Sequence, residues 1–238
     1  MRGFQTVPAD HRFFTAMSII VAVLVVLGFS QTYPARAFAP GTGLPPVIHL
    51  HALVFSSWLL LFVAQTVLAL KGRLDLHRKL GAVGVAVAAL MMVLGVAAAL
   101  TAARLGHRGI PGVEFPDVRG FLLLNVGSVV VFSILVAAAW LFRHRPQVHK
   151  RLMLTALVGG LAPPGLARLP LVAGHTPAIA GVALALLLAG PVYDLVTRRR
   201  LHPAYVLGVV VALASIPPVA AQLSASDQWH RVTEWLLR

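Results

Sequence analysis

Seven apolar stretches of membrane-crossing length alternate along this chain with short polar connectors, at 13–33, 47–70, 80–103, 120–142, 152–172, 177–197 and 204–222. A crossing needs about 20 mostly apolar residues. Over such lengths only α-helices satisfy their own backbone polar groups in lipid. The pattern predicts an all-α integral membrane bundle of seven transmembrane helices, forming a single domain over residues 1–238. The longest outer connector, Arg104 to Arg119, holds Gly106, Gly109, Pro111, Gly112 and Pro116 and reads as a turn-rich link.

Finer patterns lie within the spans. In the second, His51, Phe55, Trp58, Phe62 and Gln65 recur at helical spacing on one stripe. That stripe is either a helix interface with one interhelical hydrogen bond or the wall of a cofactor or quinone pocket. His49 and His51 point to different sides of the helix, so one alone faces the bundle. The third span carries Gly81, Gly84, Ala88, Gly95 and Ala99, small residues that let backbones approach closely and predict a central helix. The fifth holds Gly159-Gly160 and Pro163-Pro164-Gly165, which predict a kink.

Composition agrees with a lipid-facing surface. Of 238 residues 58% are hydrophobic and only 11% charged, against roughly 25% charged in soluble domains. The net charge of +13 does not mark a nucleic-acid binder, because the basic residues sit in short loops between apolar spans. There they set topology and meet anionic lipid headgroups. Thirteen lie on one side: Arg2, Arg12, Lys71, Arg73, Arg78, Lys79, Arg143, Arg145, Lys150, Arg151, Arg198, Arg199 and Arg200. Six lie on the other: Arg36, Arg104, Arg108, Arg119, Arg231 and Arg238. The positive-inside rule then predicts a multi-pass protein of the cell inner (cytoplasmic) membrane, N-terminus cytoplasmic and C-terminus outside. The first span, with Ala35-Arg36-Ala37 after it, has features of a signal peptide. Its length and Pro34 favour a retained helix.

Candidate chemistry centres on imidazole. There is no cysteine, which excludes disulfides, thiolate metal sites and iron–sulfur clusters. The third and fifth spans open on His77-Arg78-Lys79-Leu80 and His149-Lys150-Arg151-Leu152, and His202 precedes the seventh. If the third and fifth helices are neighbours, His77 and His149 could clamp a haem iron, with Arg78, Lys79, Lys150 and Arg151 available for propionates. The inner histidines, His202 included, could instead bind copper or zinc. On the outer side His51, His107 and His175, with Glu114 and Asp117, could make a second metal site. Arg168, inside the fifth span, either snorkels to headgroups or pairs with an anion such as a haem propionate. Asp194 pairs with Arg198 at helical spacing or orients an inner histidine. No H-E-x-x-H, G-x-S-x-G or Walker sequence is present, and the seventh span has no lysine for a Schiff base.

The stretch from His51 to Gly81, the His149-Lys150-Arg151-Leu152-Met153 run and the downstream Arg168 resemble a family of bacterial polytopic membrane proteins, a domain of unknown function with the same HRxLG and HxxxM…R signatures. The resemblance covers spans two to five and implies a membrane fold without an assigned activity. The run from His149 to Ala156 also resembles a small membrane protein linked to maturation of haem–copper oxidases. A looser resemblance is to the ascorbate-reducible membrane cytochromes b, whose two haem ligand pairs lie one near each face. It implies an inner pair at His77 and His149. For the outer pair the fourth span offers only Asn125, so one haem is implied.

Three functions follow as expectations. The chain serves assembly, binding lipid or a membrane protein complex. Alternatively it is a redox protein with one b-type haem, exchanging electrons with quinone. The third is a transporter of a small solute or metal ion, suggested by the kinked fifth span and Arg168.

Overall fold

A computed structural model describes residues 8–39, 43–110, 113–206, 208 and 222–238. Its helices are α1 (Pro8–Ser30), α2 (Tyr33–Ala37), α3 (Pro46–Leu70), α4 (Leu74–Arg104), α5 (Val118–Leu141), α6 (Pro146–Ala156), α7 (Ala162–Leu166), α8 (Thr176–Arg198) and α9 (Asp227–Leu237). A π-turn over Leu157–Leu161 joins α6 to α7. The only strands among the described residues are a two-residue hairpin, Gly109–Ile110 with Val113–Glu114, in the turn-rich connector.

Five helical runs are long and apolar enough to cross a membrane: Ala9–Ala37, Pro46–Leu70, Leu74–Arg104, Val118–Leu141 and Thr176–Arg198. Local signals set their ends. Pro46 starts α3 and Pro146 starts α6, where a missing N–H costs nothing. Asp117 caps α5, its Oδ1 accepting from the Arg119 and Gly120 amides at 2.9 and 3.1 Å. The expected seventh span, 204–222, lies almost wholly outside the described residues.

The fifth expected span differs from 152–172. The rod runs from Pro146 to Leu166 and is broken midway, and residues 167–174 are turns. Pro163 and Pro164 have no N–H to aim at the Gly159 and Gly160 carbonyls, so regular α-helix cannot continue through them. The π-turn sits one turn earlier and absorbs the mismatch. This rod, not α4, is the central element. Arg151, Leu152, Leu154, Thr155, Ala156, Leu157, Val158, Leu161, Ala162 and Leu166 along it are all buried. The small residues of α4 do bring it close to neighbours: a Cβ on Gly95 would meet Val129 Cγ2 at 2.7 Å. However, Leu80, Val83, Leu90, Met92 and Val93 of α4 are exposed, so it flanks the bundle.

Polar contacts help hold the helices, as expected where lipid weakens the hydrophobic drive between them. Thr15 and Ser18 of α1 reach Thr66 of α3 at 3.1 and 2.8 Å. The backbones of α1 and α7 meet at Gly28 and Gly165. The short α9 was not expected from hydropathy. Ser226 caps it, Trp229 Nε1 donates to the Arg119 carbonyl (3.0 Å), and Arg104 Nη2 donates to the Leu236 carbonyl (2.9 Å). It covers the bundle end opposite to the one where α1 begins.

Candidate functional site

The two imidazoles that open α4 and the α6 rod meet. Their ring centroids are 6.3 Å apart with planes at 88°. Each ring is fixed from behind by a main-chain carbonyl. His77 Nδ1–H donates to the Gln65 carbonyl at 3.1 Å, and His149 Nδ1–H donates to the Ala139 carbonyl at 2.8 Å. A carbonyl can only accept, so Nδ1 carries a proton in each ring, and Nε2 is the nitrogen a ligand would use. This is the usual support of a metal-binding histidine. Gln65 secures the arrangement further, its Nε2 donating to the His77 carbonyl at 3.0 Å.

Both rings border a cavity of about 590 Å³ enclosed by α1, α3, α4, α5 and α6, within the usual range for a small-molecule site. Its floor is apolar and aromatic, with Trp58, Phe62, Val136, Met153 and Leu154. Gly81 and Gly84 contribute no side chain on the α4 wall. Arg78, Arg143, Lys150, His11 and His144 line it too, and no carboxylate does. Gln65 Oε1 is buried there without a hydrogen-bond partner. An apolar body with an acidic head fits such a lining. The stripe on the second span packs on a neighbouring helix and also borders the cavity. Trp58 packs on Phe132 of α5 at 4.9 Å, and the same Trp58, Phe62 and Gln65 wall the cavity.

A buried ionic cluster lies beside the site. Arg151 and Asp194 are fully buried and paired in bidentate fashion, Nε to Oδ2 at 2.8 Å and Nη2 to Oδ1 at 2.6 Å. Gln147 takes Arg151 Nη1 through its carbonyl (2.7 Å) and Oε1 (2.8 Å). Asp10, buried at the start of α1, pairs with Lys150 at 2.5 Å and with Arg198, and accepts from the Tyr193 hydroxyl at 3.1 Å. Hence Arg151 is not free for a propionate, and Lys150 is held by Asp10. The expected Asp194–Arg198 pair exists at a looser 3.7 Å. Arg151, one helix turn from the loop, dominates Asp194 because both groups leave water together and need a full complement of hydrogen bonds. Spacing along one helix could not reveal a partner on another.

The other proposed ligands are not gathered. His202 Nδ1 accepts from the Ala204 amide at 3.1 Å, so it stands beside Arg151 and Asp194 as a helix cap. His51 stacks on Phe55 at 3.9 Å and bonds to the Leu94 carbonyl of α4, while its neighbour His49 takes the Tyr33 hydroxyl at 2.7 Å. His175 is exposed and donates to the Ala173 carbonyl at 3.1 Å. His107 borders a separate hollow with Arg36, Leu44 and Leu105. Asp117 is spent on capping α5, and Glu114 is exposed in the hairpin. Among the described residues no three of His, Asp and Glu converge as for a metal ion. Arg168 is at the far end of the rod from His149, roughly 25–30 Å along it at helical rise, so it cannot serve the same cofactor. Sequence reasoning missed the cavity's His11, His144 and Arg143 and the buried Asp10; a lone acid in a basic N-terminal segment was the available signal for the last.

The His202 environment sets a pH dependence. Burial first, then Arg151, pushes its imidazole down to about 4; Lys150 and Arg198 act in the same sense, and Asp194 opposes them. In the unfolded chain the ring protonates near 6.5. Stability is therefore full above pH 6.5, falls as the unfolded state takes up the proton, and reaches its floor below about 4. Thermal unfolding in detergent should show a midpoint declining through that window, with a smaller decline in His202→Gln. An identical decline in the variant would show that another group carries it.

No family model, curated protein or solved structure matches this chain.

Proposed function

We propose that the chain is a multi-pass redox protein of the cell inner membrane, N-terminus cytoplasmic, holding one b-type haem between His77 and His149 with membrane quinone as its electron partner. The observation that carries this reading is the imidazole pair on the rim of one cavity. His77 and His149, with ring centroids 6.3 Å apart, would hold the group between them. An edge-to-face aromatic pair has a similar spacing. Ligation is favoured because both rings have Nδ1 anchored, face one cavity and lack a carboxylate between them.

The donor set selects the cofactor. Zinc or copper sites draw three or four ligands from the protein, whereas haem brings its own four nitrogens and asks only for axial imidazoles. Two converging histidines suit the second case. When bound, the haem supplies one-electron transfer. The chain's own residues hold and insulate it. The Gln65 and Ala139 carbonyls hold a proton on Nδ1 of His77 and His149 and so turn Nε2 to the ligand side. Arg78 and Arg143 offer cations at the cavity lining for propionates. Trp58, Phe62 and Val136 exclude water. This reading limits the likeness to the ascorbate-reducible cytochromes b to their inner ligand pair, and gives the HRxLG and His149–Met153 signatures a shared purpose.

The test is the absorbance spectrum of protein purified in mild detergent. The expected result is a Soret band that sharpens on reduction and is lost in His77→Ala and in His149→Ala, with both variants still monodisperse. Colourless protein that stays colourless after incubation with haem would overturn the reading. That outcome would return the chain to the assembly or transport expectations.

A further inference from the structure

Among the described residues the fold provides a carboxylate for each of its other buried or half-buried lysine and arginine side chains. Arg151 has Asp194, and Lys150 and Arg198 share Asp10. Arg168 is the exception. The whole chain holds only seven acidic residues. Asp10 and Asp194 are engaged at the opposite end, as is Asp75 with Arg73. Asp117 caps α5, and Glu114, Asp227 and Glu234 are exposed on other elements. None pairs with Arg168. Its guanidinium donates from Nη1 to the Pro164 carbonyl at 2.6 Å and lies 4.5 Å over the Phe29 ring. The charged group that acts on it is a second cation, Arg36, and it in turn bears on the His51 ring.

A guanidinium has five donors arranged to grip an oxyanion at two points. Here one donates to the Pro164 carbonyl, and among the described residues none of the rest meets a carboxylate. Arg36, exposed on the solvent side, adds a second positive charge, and two like charges acting on each other favour an anion between them. Phe29 comes from the last turn of α1 and Arg168 follows the end of α7, so in a membrane-crossing bundle this group would sit near headgroup depth.

We infer that Arg168, with Arg36 beside it, forms an oxyanion site for a phosphate group. Two sources present that chemistry at this depth, the phosphodiester of an anionic phospholipid and free inorganic phosphate. The site is independent of the haem reading and lies at the other end of the bundle.

The experiment uses the full chain in nanodiscs of phosphatidylcholine, alone or with phosphatidylglycerol added, followed by native mass spectrometry and thermal unfolding. The expected result is one retained phosphatidylglycerol per chain and a raised Tm. Arg168→Gln should lower retention by about tenfold or more, the worth of one charge-assisted bidentate contact. Arg36→Gln, at an exposed position, should lower it less and leave folding intact; Arg231→Gln, on α9 at the same end, should change nothing. If phosphatidylglycerol has no effect but inorganic phosphate raises Tm in an Arg168-dependent way, the site stands and its ligand is the free ion. If folded wild-type protein gains nothing from either over Arg36→Gln and Arg168→Gln, the site does not exist.

Discussion

Asp194→Ala should cost roughly 3–5 kcal/mol of stability, the usual penalty for stranding a buried charge. Arg151 would keep its guanidinium buried near the Tyr205 ring, with its bonds to Gln147 kept and both bonds to Asp194 lost. Arg151→Ala should be as damaging, because Asp194 would lose both close bonds and keep the looser Arg198 contact at 3.7 Å. The informative companion is the double change Arg151→Met with Asp194→Leu, which removes both charges and fills similar volume. Such apolar replacements of buried pairs are often neutral or stabilising, so the double variant should recover most of the loss. As a control, Arg73→Ala at the exposed Arg73–Asp75 contact should shift stability by no more than about 1 kcal/mol. Thermal unfolding in detergent gives all four values. A double variant as unstable as either single one would mean that the pair fixes geometry in a way apolar packing cannot replace.

The second large effect is steric. A Cβ on Gly28 would lie 2.0 Å from the Gly165 carbonyl oxygen and 2.7 Å from its carbon. Both are backbone atoms, so no rotamer relieves the clash. The reverse substitution meets the Val25 Cα at 2.7 Å. Overpacking usually costs about 1–3 kcal/mol; with backbone on both sides the cost of Gly28→Ala should reach or pass the upper limit. The loss should extend to the proposed haem, since His11, Phe14 and Thr15 of α1 line its cavity. Gly181→Ala in α8, where a Cβ meets nothing, should be neutral or stabilising by up to about 1 kcal/mol through helix propensity. A Gly28→Ala protein with wild-type Tm and Soret intensity would show that α1 can be displaced from α7 at no cost.

These two contacts also show where the sequence stops being informative. Apolar length located α3, α5 and α8 to within two residues, because a crossing helix must be continuous and apolar throughout, whereas α4 begins six polar-rich residues before the expected start. The meeting of His77 with His149 was also legible, since two matching starts at one depth need only adjacent helices. The α6 rod was harder. Hydropathy reads through Pro163 and Pro164 and gives no register for the break, so the rod was expected six residues too far along the chain. Arg151 looks like a loop cation in a basic connector, and only tertiary packing turns it inward onto Asp194. For α9 the difficulty is one of length, as its eleven residues are too few and too polar to register as a span. Gly28 and Gly165 lie in different helices, and nothing in either sequence context shows that they touch.

The π-turn between α6 and α7 has a geometric consequence for everything beyond it. A wider loop of helix holds one residue more than its α counterpart, so each later side chain is rotated by about 100° from the azimuth a straight rod would assign. Removing Gly160 alone would take out that slip and wind the downstream segment back like a key turned one notch. Arg168 would then leave Phe29 and sweep toward a different neighbour, while His149, upstream of the slip, would hold its bearing.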